Sequence, residues 1–508
     1  MVHFFAYQIL PLALLWLAFT ALARLPSFAR WGVPAVFAAG ALLQFLAWLN
    51  ARPDLENPDS LGYFRLAHHL EPDLRAILFR PKLYPVFLGL FHGLKAAVFW
   101  QSVFKLGMAG FLIRFAVLCG WKPATTAFTL FLFLFHSLWL IESLRIFDTA
   151  LFGFLFIAYL GMAVEVLARY SPMKFAALCA MGGLVALTRQ AADPSLLLVL
   201  LVVLANALYR AIVGTLGNRP AAEAEVEGAK GAKGAEDAED AEDAERFRKP
   251  AVPGKRKPGS GPLLLPIGFS LALGLLIAGA GAIHNGIRYG VYQRSVALGI
   301  NLYTHASYYQ LGDPASPEWD FVQRYLPGAR LRYPHWETDW KYDMPWSVNA
   351  LPHRLERKLG SAGGPEIVGA DRLLRDRAVA WAQGNPGGYL ASVLNEAARL
   401  LSKCEETYPV SLLDPGGKGS MLIRRLERGL LYQPLWLLLV AGLAAWLFCP
   451  RNRWLLIAPG LAAVSYLALV AAVQIGLTRY ALPAYLPLLM VAGQAVDLLP
   501  VPGAGTPR

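Results

Sequence analysis

The chain has 508 residues, 56% of them hydrophobic and only 16% charged, with a mean hydropathy of +0.42. Soluble domains carry roughly 25% charged residues, so the composition argues against a soluble globular enzyme, and 12% aromatic residues exclude disorder for most of the chain. A net charge of +12 would point to nucleic acid in a soluble protein, but in a membrane protein it points first to loop asymmetry.

A membrane helix needs about 20 apolar residues to cross about 30 Å of hydrocarbon. In chain order the candidate spans are 4–23, 32–49, 100–119, 124–141, 147–168, 174–188, 194–213, 262–283, 430–449, 454–475 and 480–498. The first could be a signal peptide, but Met1-Val2-His3 offers no positive n-region and no clear cleavage site follows. It is read as a span with the N-terminus outside. A shorter apolar stretch, 84–99, contains His92, Gly93 and Lys95 and is read as re-entrant or interfacial. With 84–99 not crossing, the short loops carrying Arg24, Arg30, Lys122, Arg169, Lys174, Arg451 and Arg453 all fall on one side. The positive-inside rule makes that side cytoplasmic.

The expected fold is therefore mainly α, a polytopic membrane helical bundle of about 11 spans with an extracytoplasmic, mixed but mostly helical domain. Residues 1–218 form an N-terminal transmembrane module with the outer loop 50–83. Residues 219–258, an Ala/Glu/Asp repeat without large apolar residues, read as a disordered cytoplasmic linker. A transmembrane helix (259–283), the extracytoplasmic domain (284–429), C-terminal transmembrane helices (430–499) and a tail (500–508) complete the order. In the domain, 370–403 has helical periodicity broken at Asn385-Pro386-Gly387-Gly388. Its Trp319, Trp336, Trp340 and Trp346 read as core before sugar-stacking surfaces. Cys119, Cys179, Cys404 and Cys449 have neither the C-x-x-C spacing of a zinc or redox centre nor a disulfide pattern.

Ionisable residues concentrate at the outer helix ends, where hydrocarbon penalises them and function is the first explanation. The outer loop 50–83 balances five basic against five acidic residues. Within it Asp59-Ser60 can cap an interfacial helix from Leu61. Arg80-Pro81-Lys82-Leu83-Tyr84-Pro85 then bends the chain into the membrane. Glu142, Arg145 and Asp148, spaced by three, share a helical face and can satisfy one another. Arg189 and Arg479 close two further outer ends. Arg80, Arg145, Arg189 and Arg479 thus gather at one surface, where guanidinium groups suit a lipid phosphate. Asp54-Leu55-Glu56 beside Asp59 offers oxygen ligands for Mg²⁺ or Mn²⁺, although an acidic loop is more often simply solvated.

The order of these pieces resembles the GT-C superfamily of integral-membrane glycosyltransferases, the group of protein mannosyltransferases and aminoarabinose transferases. The matching segments are PDSLGYFRLAHHL with Asp59, RPKLYPVFL at 80–88, ESLRIFD at 142–148, LTRQ at 187–190, DRLLRDRAVAWAQGNPGGYL at 371–390 and RYALPAYLP at 479–487. Asp148 departs from the commoner Glu, and an extra N-terminal span is present. The resemblance implies transfer of a sugar from a polyprenyl-phosphate donor to a hydroxyl of a lipid, glycan or protein acceptor, with inversion. It places the site on the outer, periplasmic face of a bacterial inner membrane, with membrane lipid and no nucleic acid as partner. It further implies Asp59 as the catalytic base and Arg80, Lys82, Arg145, Arg189 and Arg479 as donor-phosphate ligands. Tyr63, Tyr84, Glu142, Asp148 and Tyr480 would position substrate. A divalent metal is optional in such enzymes, and no metal ligand is assigned. The alternatives are a transporter or flippase of an anionic lipid-linked substrate, or a non-catalytic envelope scaffold.

Overall fold

A computed structural model describes residues 10–51, 53, 55, 58–70, 74–217, 264–311, 364–402, 435–448, 453–473 and 478–499. Residues 219–258 and 500–508, Asp54, Glu56, Cys404, Cys449, Trp319, Trp336, Trp340 and Trp346 lie outside the described residues.

Within the described residues the regular structure is helical. In chain order the helices are α1 (Leu10–Leu22), α2 (Pro26–Asn50), α3 (Pro58–Ala67), α4 (Leu74–Phe79), α5 (Leu83–Gly89) and α6 (Leu94–Cys119). They are followed by α7 (Pro123–Leu134), α8 (Ser137–Glu142), α9 (Thr149–Ala168), α10 (Pro172–Thr188) and α11 (Asp193–Gly217), with a short 3₁₀ turn at Gln190–Ala192. The remainder are α12 (Leu264–Tyr289), α13 (Leu298–Leu311), α14 (Gly364–Gly384), α15 (Pro386–Ser402), α16 (Leu435–Phe448), α17 (Arg453–Val473) and α18 (Thr478–Leu498).

Local chemistry explains the boundaries. Proline stands at the start of α2, α7 and α10, where its missing N–H costs nothing. Helix α6 ends because Gly120 takes φ 71°, a left-handed cap that a side chain would strain. Helix α7 stops at Leu134, and His136 restarts the chain as the cap of α8 by accepting from the Trp139 N–H. The buried Lys105 ammonium donates to the Leu134 carbonyl at 2.9 Å, which satisfies an acceptor left open by that break.

Among the described residues seven helices, including α2, α6, α9 and α17, are long and apolar enough to cross a membrane. Four shorter apolar helices, Ala13–Leu22, Pro123–Leu134, Pro172–Thr188 and Leu437–Phe448, fall below that length. The surface polarity is inverted as lipid requires. Leu14, Trp31, Leu42, Leu275 and Phe448 face outward, while Gln44, Gln101, Ser102, Thr125 and Thr129 are buried. Helix α9 lies at the centre, packed against α6, α10, α11, α17 and α18.

The apolar stretch 84–99 is two pieces. Its first part is α5, seven residues long and about 10 Å in length, too short to cross; its second is the beginning of α6. The Lys95 ammonium donates to the Leu49 carbonyl at 2.9 Å, and the Trp48 indole donates to the Lys95 carbonyl at 3.0 Å. The end of α2 and the start of α6 therefore share one level, so the chain between them returns to the face it left. At the other end of the bundle the Lys122 N–H donates to Asp497, and Glu165 bridges Arg114 and Lys174.

Candidate functional site

Helix α3, the end of α4 and the following Arg80-Pro81 build one wall of a cavity at the end of the bundle where α9 begins. Pro58 starts α3, which places Asp59 in the first turn and not at the cap; a carboxylate there faces the positive end of the helix dipole. Its side chain is 42% exposed and meets the Arg80 guanidinium at 3.5 Å. Arg80 is far more enclosed, at 14% exposure, and lies over the Tyr63 ring with its central carbon 5.4 Å from the centroid. The absence of a side chain at Gly62 creates this seat: a Cβ there would stand 2.5 Å from the Arg80 guanidinium carbon.

Tyr63 packs edge-on against Tyr84 with ring centres 4.9 Å apart. The Tyr84 hydroxyl donates to the Gln101 side-chain carbonyl at 2.7 Å, and the Gln101 amide donates to the Arg145 carbonyl at 2.6 Å. The first wall is thus tied to α6 and to the turn before α9. Burial, reinforced by the Asp148 carboxylate, holds the Tyr63 phenol well above the usual tyrosine range, so it remains a hydrogen-bond donor.

The second wall comes from the ends of α9 and α10. Arg189 forms a two-pronged pair with Asp148, its Nε 2.8 Å from Oδ2 and its Nη2 2.6 Å from Oδ1. The same guanidinium reaches the Thr149 hydroxyl and the Tyr466 hydroxyl, each at 3.3 Å. Ser295 and Asn301 close the remaining side. They are held there because the Ser295 hydroxyl and the Val296 N–H bond the carbonyls of Phe79 and Leu78 at the end of α4. The cavity is partly open, has a volume of about 170 Å³ and is lined by Asp59, Tyr63, Arg80, Asp148, Arg189 and Tyr466, among others. It joins a wider chamber of about 580 Å³ through a shared border at Gln190, Ser295 and Asn301.

Five residues singled out from the sequence, Asp59, Tyr63, Arg80, Asp148 and Arg189, line this one cavity although they span some 130 positions of the chain. The others sit elsewhere. Tyr84 is buried behind Tyr63. Lys82 turns its ammonium to the Ile77 carbonyl; burial, and then the neighbouring Arg288, push it down to about 8. The shared face expected for Glu142, Arg145 and Asp148 is not formed, because α8 ends at Glu142. Glu142 is fully buried and pairs with Arg145 at 3.7 Å, while Asp148 belongs to Arg189. Arg479 and Tyr480 stand in the first turn of α18, and their side chains lie outside the described ones. Among the described residues no group of three or more His, Cys, Asp or Glu side chains gathers as a metal site.

Sequence reasoning missed Gly62, Gln101, Ser295, Asn301 and Tyr466. Gln101 and Tyr466 carried a usable signal, being polar side chains within apolar spans. Gly62 and Ser295 carried none, since their roles exist only once distant segments meet.

No known protein family, no curated protein and no solved structure matches this chain.

Proposed function

We propose that the protein is a GT-C-type membrane glycosyltransferase that moves a sugar from a polyprenyl-phosphate donor to an acceptor hydroxyl, inverting the anomeric carbon. In this reading the bundle has about 11 spans in a bacterial inner membrane, with the cavity and residues 284–429 on the outer face. The observation that carries it is the pairing of one partly exposed carboxylate, Asp59, with two enclosed guanidinium groups, Arg80 and Arg189, around one cavity.

Inverting transfer needs these two elements. The acceptor oxygen attacks the anomeric carbon while its proton passes to Asp59, a step worth about 10²–10⁴-fold in rate. The bond between that carbon and the phosphate oxygen breaks with its electron pair, and the departing lipid phosphate gains charge. Arg80 and Arg189 are already held in place, by Tyr63 on one side and by Asp148 on the other. Arg80 receives that charge without reorganising, and Arg189 joins it by turning its Nη1 donor from the Tyr466 hydroxyl while Asp148 keeps the guanidinium in place. Tyr63 remains protonated and offers a donor to the sugar or phosphate. Lys82 and Arg145 stand back from the cavity and support its walls. A divalent metal stays optional in this scheme: Asp54 and Glu56 lie outside the described residues, and no step requires one.

Purified protein should turn over at least one member of a panel of polyprenyl-phosphate sugars, and Asp59→Asn should reduce that turnover by at least about 10²-fold. Full activity in Asp59→Asn would remove the base from this scheme. Absence of turnover and binding for every donor would refute the glycosyltransferase and favour a transporter or scaffold.

A further inference from the structure

Gln101 is a fully buried amide on α6, a helix long and apolar enough to cross a membrane. An amide at such a place has given up its water, and it costs least where both of its ends find partners. Its carbonyl oxygen accepts from the Tyr84 hydroxyl at 2.7 Å, and its amide group donates to the Arg145 carbonyl at 2.6 Å and to the Ser143 carbonyl at 3.4 Å. The two ends belong to different walls of the cavity. Tyr84 packs against Tyr63, the ring over which Arg80 lies. Arg145 opens a three-residue turn, in which the Phe147 N–H donates to the Arg145 carbonyl at 3.0 Å. The next residue is Asp148, the partner of Arg189. Gln101 thus supplies the second donor to a carbonyl that has two lone pairs. Residues 143–148 join α8 to α9 outside either helix, and non-helical backbone within a membrane bundle needs such partners from the protein. One side chain stands midway along an unbroken run of contacts from Arg80 to Arg189.

We infer that Gln101 is a positioning residue that sets the separation of Arg80 and Arg189, and so matches the pair to the phosphate oxygen as it departs. It acts on one arginine through Tyr84 and on the other through the turn at Arg145. Either guanidinium can hold the phosphate of the bound donor, but the charge that develops as the bond breaks calls on both together. Loss of the strut should therefore lower kcat and leave donor KM nearly unchanged. The strut itself rests on the hydrogen bonds; its effect on turnover rests on the glycosyltransferase reading.

Gln101→Leu and the milder Tyr84→Phe test it. With a donor that the wild type turns over, Gln101→Leu should lower kcat about tenfold or more, with donor KM within about twofold. Its cost should be smaller in an Arg80→Gln or an Arg189→Gln background than alone, because one of the groups it aligns is already gone. Tyr84→Phe cuts only the first link, so its loss should vanish in the Arg80→Gln background and persist in Arg189→Gln. It carries the kinetic test by itself should Gln101→Leu fail to fold. Equal factors in every background, or a raised donor KM with kcat unchanged, would overturn the positioning role and leave the transfer reaction in place. Hydrogen exchange read by mass spectrometry needs no donor. In Gln101→Leu the amides of 83–89 and 143–148 should exchange about tenfold faster, while those of 114–122 at the other end of the bundle keep the wild-type rate. Unchanged exchange in both segments would refute the strut whether or not a sugar is transferred. Failure of every donor would refute the transfer reaction and leave the exchange result to decide the strut.

Discussion

The Arg189–Asp148 pair is the strongest structural commitment at the cavity, and cutting one side of it should be costly. Both side chains are enclosed, at 11% and 9% exposure, with contacts of 2.6 and 2.8 Å in the two-pronged geometry that makes such pairs strong. Asp148→Leu leaves the Arg189 charge buried without its carboxylate, beside the neutral Thr149 and Tyr466 hydroxyls. Removing one member of a buried pair costs about 3–5 kcal/mol, whereas replacing both with apolar residues of similar size is often neutral. Asp148→Leu combined with Arg189→Met should therefore recover most of the stability lost in Asp148→Leu, giving a coupling of at least about 2 kcal/mol. Turnover should not recover, because Arg189 is then absent from the cavity. The cycle can be measured by SDS-driven equilibrium unfolding in bicelles, followed through tryptophan fluorescence. A loss below about 1 kcal/mol in Asp148→Leu, or strictly additive losses in the double variant, would refute the claim that this pair is buried and coupled.

Two further outcomes follow from the same geometry. Gly62→Ala places a methyl group 2.5 Å from the Arg80 guanidinium carbon, so Arg80 must leave its seat over Tyr63. Turnover should fall about tenfold or more with little change in unfolding midpoint, and unaltered kinetics would show that the seat is not needed. Lys82 is pushed from 10.5 down to about 8, so between those values the unfolded chain holds a proton that the folded chain has released. Unfolding free energy should rise with pH across that window, and Lys82→Met should remove that part of the rise. Identical pH profiles for the two proteins would contradict the buried, Arg288-flanked position of Lys82.

The helical content and the multi-pass character were legible in the sequence because lipid imposes a length and a composition on each crossing segment. Candidate spans 32–49 and 147–168 reappear closely as α2 and α9. The stretch 84–99 was harder to read, since composition alone does not mark the break at Leu90–Gly93 that separates α5 from α6. The stretch 124–141 is two helices, α7 and α8, for a related reason: nothing in its hydropathy signals that His136 caps a new helix. At the cavity, charge at helix ends identified Asp59, Arg80, Asp148 and Arg189 as candidates. Their pairing was not legible, and the helical spacing that grouped Glu142 and Arg145 with Asp148 misplaced Asp148, because α8 ends before it.

By itself the sequence determined that this chain crosses a membrane many times and gathers ionisable groups at the ends of its spans. Both follow from the cost of placing polar atoms in hydrocarbon, which acts on each segment separately. Only the tertiary structure decided which of those groups share a cavity. That depends on the return of residues 51–93 to the face they left, on the docking of Ser295 and Val296 against α4, and on the space vacated at Gly62. Each of these is a contact between segments distant in sequence, and no local pattern encodes it.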